Sequence, residues 1–546
     1  VTKSEDGGKT FETVLPYSGV HPDHHAFWIH PNDPNYLIDG NDGGLNISHD
    51  GGKSWRFIEN IPVGQFYHVN HDMSIPYQIG GGMQDNGSWV GPSAVWQAGG
   101  IRTSQWQEVF FGDGFDLGFR PDNSRYIYAM SQGGNVGTVD TETGKTQFIK
   151  PTSPNNTELR FNWNAAFAQD PHNASAIYFG SQFLHYSKNY GQTSEVISPD
   201  LTTNDTAKQK PHLSGGLTLD ATNAENHTTI LAIGPSPLDA KVVWVGTDDG
   251  NLQLSRDGGK TWTNLTSKLP GNKAGSWIPY IEVSPHNAAE AFVIVNDYRR
   301  NDWRPMLYHT TDYGQTFRKI ADENKVSGFT LCVVQDPVEP KLLFLGTDQG
   351  LYLSIDKGST WTKWTNGYPS VPTYDLKIHA RDHDLIIATF GRAFWILDDI
   401  RPLREIARTG GKVLEQPFKI FPIPDAYQAA FKSFEGIRFS ADGMFAGENK
   451  APGAWITLWA PQAKTTAPAA NNVKPAAAKE EKRPERVKII ILSATGDTVR
   501  TFSSRIDTGM VKVYWPLNRN GVRTPSRQER RGDEDSAHSG PQVLPG

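Results

Sequence analysis

The sequence predicts an all-β chain: a β-propeller of seven or eight blades, seven being the count adopted, followed by a truncated β-sandwich. Three observations carry this prediction. An eight-residue turn pattern, Ser/Thr-x-Asp-x-Gly-x-Ser/Thr-aromatic, occurs five times. Ahead of it recur a Pro turn, an apolar strand and a Gly-rich turn, mostly at intervals of roughly 41 to 52 residues, which suits four short strands per unit. The composition, with 53 Gly, 36 Pro and 11 % aromatic residues in 546, supplies tight turns and an aromatic β interior.

The octapeptides are residues 4–11 (SEDGGKTF), 48–55 (SHDGGKSW), 255–262 (SRDGGKTW), 310–317 (TTDYGQTF) and 354–361 (SIDKGSTW). Residues 187–194 (SKNYGQTS) form a degraded copy, and 140–148 (DTETGKTQF) fill the same place in another unit. Chemically the pattern is a hairpin turn. Its Asp accepts backbone N–H groups, its Gly permits positive φ, and its aromatic plugs between sheets. Asp50, Asp257, Asp312 and Asp356 are therefore read as structural. Pro turns at Pro31, Pro121, Pro171, Pro237, Pro285 and Pro337 open the strand pairs, with looser versions near Asp72 and Arg381. The first octapeptide is assigned to a blade whose remainder lies upstream.

The formal charge of −6 is spread without a basic block, which argues against nucleic acid or an anionic membrane as partner. No apolar run approaches membrane-helix length, so no membrane insertion is expected. The one cysteine, Cys332, sits in an apolar run and reads as a buried thiol. The chain begins without Met inside a repeat and is expected to be a fragment of a longer protein. Residues 1–405 are assigned to the propeller, 406–446 to a connecting segment and 447–546 to the partial sandwich, with a short helix (LREIA) expected within Arg401–Phe418. Within that last part the Ala/Pro/Lys/Glu-rich stretch near 460–486 is expected to be disordered.

Strand order sorts the loops. The octapeptides join the third and fourth strands of a unit and mark one face. The Gly turns between the second and third strands, with the connections between units, form the other face, where a concave mouth would bind ligands. Asp or an amide recurs there: Asp42, Gln84-Asp85-Asn86, Asp248, Arg299 in NDYR, and Arg392 in FGRA. For any one Asp the plain reading is turn chemistry; Asp85 and Arg392 are singled out against it. The connections add His21-Pro-Asp-His24-His25, whose His24 and His25 face opposite sides of a strand and so do not share an ion. No metal is assigned there. The connection Phe111–Asp116 (FGDGFD) places Asp113 and Asp116 beside glycines. Candidate ligand-binding residues are His24, His25, Asp42, Gln84, Asp85, Asn86, Asp116, Asp248, Arg299 and Arg392. Asp85 and Asp113 are the acid and base of choice if the chain is a glycosidase. No serine nucleophile elbow, phosphate loop or zinc-protease motif occurs.

The octapeptides resemble the Asp boxes of sialidases, xyloglucanases and the sortilin luminal domain. HPDHHAFWIHP, GNDGG, PVGQFYHV, MQDNGSW, GDGFD, ISPDLT, WVGTDDG and ATFGRAFWILDDI resemble more specifically a bacterial group labelled "glycosyl hydrolase, BNR repeat" or sortilin-N-terminal-like. That resemblance implies that this propeller is the second of two. GENKAPGAWITLW, VKIIILSATGDTVRTF and GMVKVYWPLNRNG resemble the Ig-like domain of flagellar hook-capping proteins, which implies an accessory module. The sialidase Arg-Ile-Pro motif is absent from the sequence, so the fold likeness does not carry sialidase activity with it. The functional expectation is a secreted or periplasmic propeller that binds a peptide, protein or glycan at its mouth without catalysis and without a cofactor. The alternative is a glycoside hydrolase using a pair of acidic residues.

Overall fold

The computed structural model describes residues 1–16, 19–153, 155, 157–209, 226–430, 445–461, 486–522 and 539–545. Most of the stretch near 460–486 and part of the Asp200–His227 loop lie outside them. The chain divides into two compact units, the first built around Val1–Val95 and Gly99–Asp398, the second around Lys450–Gly546 and the segment that starts at Asp399.

The first unit is almost entirely antiparallel β-structure. It contains four-stranded sheets at 24–57, 70–110, 114–148, 167–196, 230–264, 277–321 and 330–363, and a three-stranded sheet at 373–397, each with its strands paired in chain order. The 230–264 sheet shows how the sequence dictates the unit. Ile230–Pro235, Val243–Thr247, Leu252–Ser255 and Thr263–Asn264 pair in succession, with Trp244 opposite Leu254. Val243–Thr247 is buried along its whole length, whereas Thr263–Asn264 is exposed. A largely apolar, fully buried second strand follows from a sheet covered on both faces, and the outer strand faces water.

Successive sheets pack face to face. Val90 of the 70–110 sheet clusters with Leu117 and Ile127, Tyr128 with Ile177 and Phe179, Tyr178 with Val243 and Val245, Trp244 with Ile281 and Val293, and Phe292 with Val333 and Leu343. Cys332 Sγ lies 3.5 Å from the Thr373 carbonyl, joining the 330–363 and 373–397 sheets; the thiol is buried, as expected. The last sheet then meets the 70–110 sheet: Tyr77 and Ile79 cluster with Ile386 and Ala388, Val69 N–H donates to Asp375 (3.1 Å), and Tyr77 Oη donates to Asp384 (3.1 Å). This cycle of sheets fits a β-propeller.

One expectation changes here. The 24–57 strand pair was counted with the ring, yet the packing position beside the 70–110 sheet is taken by the 373–397 sheet. The 24–57 sheet instead donates its Trp55 indole N–H to the Val14 carbonyl of the preceding segment (2.9 Å), and its first strand exposes Phe27, Trp28 and Ile29. His24, His25 and Asp42 therefore ride on a sheet beside the cycle, not on one of its members.

The octapeptide turns are built as their chemistry requires. In residues 48–55, Asp50 accepts Ser54 N–H (2.9 Å) and Ser54 Oγ (2.6 Å), and Ser48 Oγ accepts Gly52 N–H (2.9 Å). Asp257, Asp312 and Asp356 repeat the pattern. Hydrogen bonds from the turn hold Asp50 and Asp257 at a pKa of about 2, so they stay ionised and fully occupied.

In the second unit a helix, Arg401–Thr409, carries Pro402 in its first turn and ends on left-handed Gly410. Lys419–Ile420, Ala454–Ala460 and Gly509–Trp515 form one sheet, and Arg486–Leu492 pairs with Thr498–Arg505. Ile456, Leu458 and Val513 pack against Ile489, Ile491 and Phe502, closing a small core between these two sheets. Among the described residues no helix is long and apolar enough to cross a membrane.

Candidate functional site

The face opposite the octapeptides gathers the Gly turns. Asp85 occupies the left-handed region (φ 63°) and is followed by Gly87 (φ 75°), so QDNG makes a tight reversal between Gln78–Met83 and Gly87–Pro92. Asp113 caps that reversal: its carboxylate accepts Asp85 N–H (2.9 Å), while Asp113 N–H donates to Gln132 Oε1 (2.9 Å). Gly82 and Gly114 permit the approach, since a Cβ on Gly82 would stand 2.1 Å from the backbone of Gly114 and Phe115. The Asp85 carboxyl is raised to about 6, first by burial and then by Asp42 and Asp113. Asn86 donates its amide to the Asp42 carbonyl (2.8 Å), and Tyr67 Oη donates to Gln84 Oε1.

Half-buried aromatic rings lie beside this turn, packed against buried Phe115. Tyr67 lies 4.6 Å from Phe115, 5.1 Å from Phe390 and 5.5 Å from Tyr374, and Tyr374 lies 5.1 Å from Phe390. Further along, the Arg299 guanidinium stacks 3.4 Å over Trp277 and 4.3 Å over Tyr298, which in turn stacks on Phe329 beside half-exposed Trp303.

The expected residues fall into separate groups. His25, Asp42, Gln84, Asp85, Asn86 and Asp113 come together, with His25 Nε2 2.8 Å from Asp42. His24 points away, to buried Asp39 (2.9 Å), in keeping with strand alternation. Arg299 belongs to the aromatic stretch. Arg392 is exposed on its turn, where its carbonyl accepts the Trp395 indole N–H (3.0 Å). Asp248 is enclosed: Thr229 N–H (2.8 Å), Thr229 Oγ1 (2.6 Å) and Asn162 Nδ2 (3.2 Å) take up its carboxylate, and burial raises it to about 7.

Asp116 lies in none of these groups. It sits on a first strand of its sheet, in a charged cluster that sequence reasoning missed. His68 Nδ1 lies 3.8 Å from Asp116 and 3.6 Å from Asp375. Lys377 Nζ (3.3 Å) and Tyr280 Oη (3.1 Å) reach the other Asp375 oxygen, and Glu282 Oε1 accepts Gln335 N–H (3.2 Å). Asp375 is 2 % exposed, whereas His68, Asp116 and Lys377 keep 19, 26 and 35 % of their side chains accessible, so the group is partly open to solvent. Burial alone would lower the His68 pKa, but Asp116 and Asp375 outweigh it and hold the imidazolium to about 9. Asp375 is driven well below the carboxylate range, against its burial, by Lys377 and His68. Burial lifts Asp116, and lifts Glu282 to about 7. The signal in the sequence was charged side chains inside largely apolar first strands: one each in FDLGF and PYIEV, and two in YDLKI.

No family profile matches the chain. A probable oligoxyloglucan-reducing end-specific xyloglucanase of Neosartorya fischeri is 25 % identical over 238 residues, 42 % of this chain and 26 % of that protein. The match thus spans about a quarter of the relative's length. Among solved structures, YCF48 from Cyanidioschyzon merolae superposes with a TM-score of 0.36 at 13 % identity, covering 61 % of this chain and 94 % of that one. An ancestral GH74 enzyme gives a TM-score of 0.35 at 14 % identity, covering 67 % and 58 %. The chain has the sheet architecture of a β-propeller and distant sequence similarity to a xyloglucanase.

Proposed function

We propose that this protein binds a glycan on the face opposite its octapeptide turns, without catalysis of its own. The observation that supports this most is the array of Tyr67, Tyr374 and Phe390, with ring centroids 5.1 to 5.5 Å apart, alongside the Gln84-Asp85 turn. Rings supply the apolar faces on which sugars stack, and adjacent amide and carboxyl groups orient hydroxyls. Titration calorimetry against neutral oligosaccharides, xyloglucan fragments included, tests the proposal. Binding weakened at least tenfold in Tyr374→Ala and Phe390→Ala is expected. Failure of every oligosaccharide to bind, or unchanged affinity in both variants, overturns it.

A second reading is a glycoside hydrolase. The Asp85 carboxyl, raised to about 6, has the protonation behaviour of a general acid, and the xyloglucanase similarity points the same way. Release of new reducing ends, abolished by Asp85→Asn, would establish it over the first. Asp113 is the less suited partner carboxylate, because one of its oxygens already caps the Asp85 turn.

The finer architecture belongs to the same proposal. The cycle of sheets from 70–110 to 373–397 is read as a seven-bladed ring. The 24–57 sheet and the Thr2–Lys3/Glu12–Thr13 pair are read as part of a preceding propeller, which would cover exposed Phe27, Trp28 and Ile29. The second unit is read as an Ig-like accessory module, and the protein as secreted or periplasmic, where glycans are met.

A further inference from the structure

The His-rich connection carries a site that the adjacent pair His24-His25 does not explain. Those two histidines are engaged separately, with Asp39 and Asp42. The third imidazole, His21, behaves differently. Donor atoms of His21, Asp23 and Asp42 all lie within 4.8 Å of one another. His21 Nδ1 stands 3.6 Å from Asp23 Oδ2, too far for a hydrogen bond. The gap is close to that between neighbouring ligands of a tetrahedral ion with bonds of about 2.1 Å, roughly 3.4 Å.

We propose that His21, Asp23 and Asp42 bind a divalent first-row metal ion, zinc or manganese. One imidazole and two carboxylates form a borderline donor set suited to those ions, whereas calcium takes six to eight oxygens. The backbone holds the three residues in place: Asp42 N–H donates to the Asp23 carbonyl (3.1 Å), and Gly43 packs so closely that a Cβ there would stand 2.7 Å from His21 Cβ. His25 Nε2, 2.8 Å from Asp42 Oδ1, orients that carboxylate and leaves its other oxygen for the ion, the arrangement of a supporting histidine around a metal ligand. The Asp42 carbonyl also accepts the Asn86 amide, so the ion would brace the connection ahead of His24 against the QDNG turn. The site stands independently of glycan binding.

The whole chain, stripped with a chelator and dialysed, is titrated calorimetrically with zinc chloride, manganese chloride and calcium chloride. One zinc or manganese ion per chain is expected, with calcium much weaker. Affinity should fall at least tenfold in His21→Gln and in Asp42→Asn and stay unchanged in the control His49→Gln. Asp23→Asn, at an exposed position, supplies the same readout should Asp42→Asn fail to fold. Absence of one-to-one binding by zinc and manganese, or undiminished binding in the folded ligand variants, overturns the proposal.

Discussion

Asp375→Asn is the sharpest test of how the cycle of sheets is held closed. The carboxylate is 2 % exposed and its two oxygens divide the work. Oδ1 accepts Leu376 N–H (2.8 Å), Tyr280 Oη (3.1 Å) and Lys377 Nζ (3.3 Å). Oδ2 accepts Val69 N–H (3.1 Å) and faces His68 Nδ1 (3.6 Å). An asparagine keeps one acceptor oxygen, and three donors favour leaving it in the Oδ1 position. Its amide then confronts Val69 N–H, severing a hydrogen bond between the first and last sheets of the cycle, while Lys377 and His68 lose their charged partner. Breaking a buried pair costs about 3–5 kcal/mol. Lys377 keeps 35 % of its side chain in water, so screening places the loss near the lower end, about 3 kcal/mol. Urea unfolding followed by tryptophan fluorescence measures it. The pH profile supplies a second readout. Raising a histidine pKa from 6.5 to about 9 stabilises the folded state by about 3 kcal/mol at 1.36 kcal/mol per pH unit. That stabilisation is complete below pH 6.5 and is lost as pH rises through 9. In Asp375→Asn only Asp116 remains beside His68, and the alkaline loss shrinks. A destabilisation under about 1 kcal/mol with an unaltered alkaline profile would refute the assignment.

Two further variants probe the scaffold of the site. Gly82→Ala forces a methyl group into the backbone of Gly114 and Phe115, 2.1 Å away, so the 70–110 and 114–148 sheets must separate; a lower melting temperature and weaker oligosaccharide binding are expected together, and an unchanged melting temperature would contradict the close approach. Asp257→Asn removes the carboxylate that accepts Thr261 N–H (2.9 Å) and Thr261 Oγ1 (2.6 Å); faster hydrogen exchange confined to residues 255–262 is expected, with glycan binding intact, because this turn lies on the opposite face.

The repeating turns were legible in the sequence because their bonds are local. Ser48, Asp50, Gly52 and Ser54 satisfy one another within seven residues, and such spacing can be read directly. The Gly turns, QDNG among them, and the apolar second strands such as Val243–Thr247 were legible for the same reason. Asp85 and Asp113 could be named, but not the bond that makes one cap the other. The closure and the charged cluster were beyond sequence reasoning. Val69 and Asp375 are 306 residues apart, and Asp116 meets His68 only because separate sheets turn their first strands toward a common space. The sequence by itself determined the kind of sheet and where each turn falls, since those depend on hydrogen bonds between neighbours and on side-chain alternation. Only the tertiary structure decided which sheet closes on which, because that choice rests on packing and on charges paired across the whole chain.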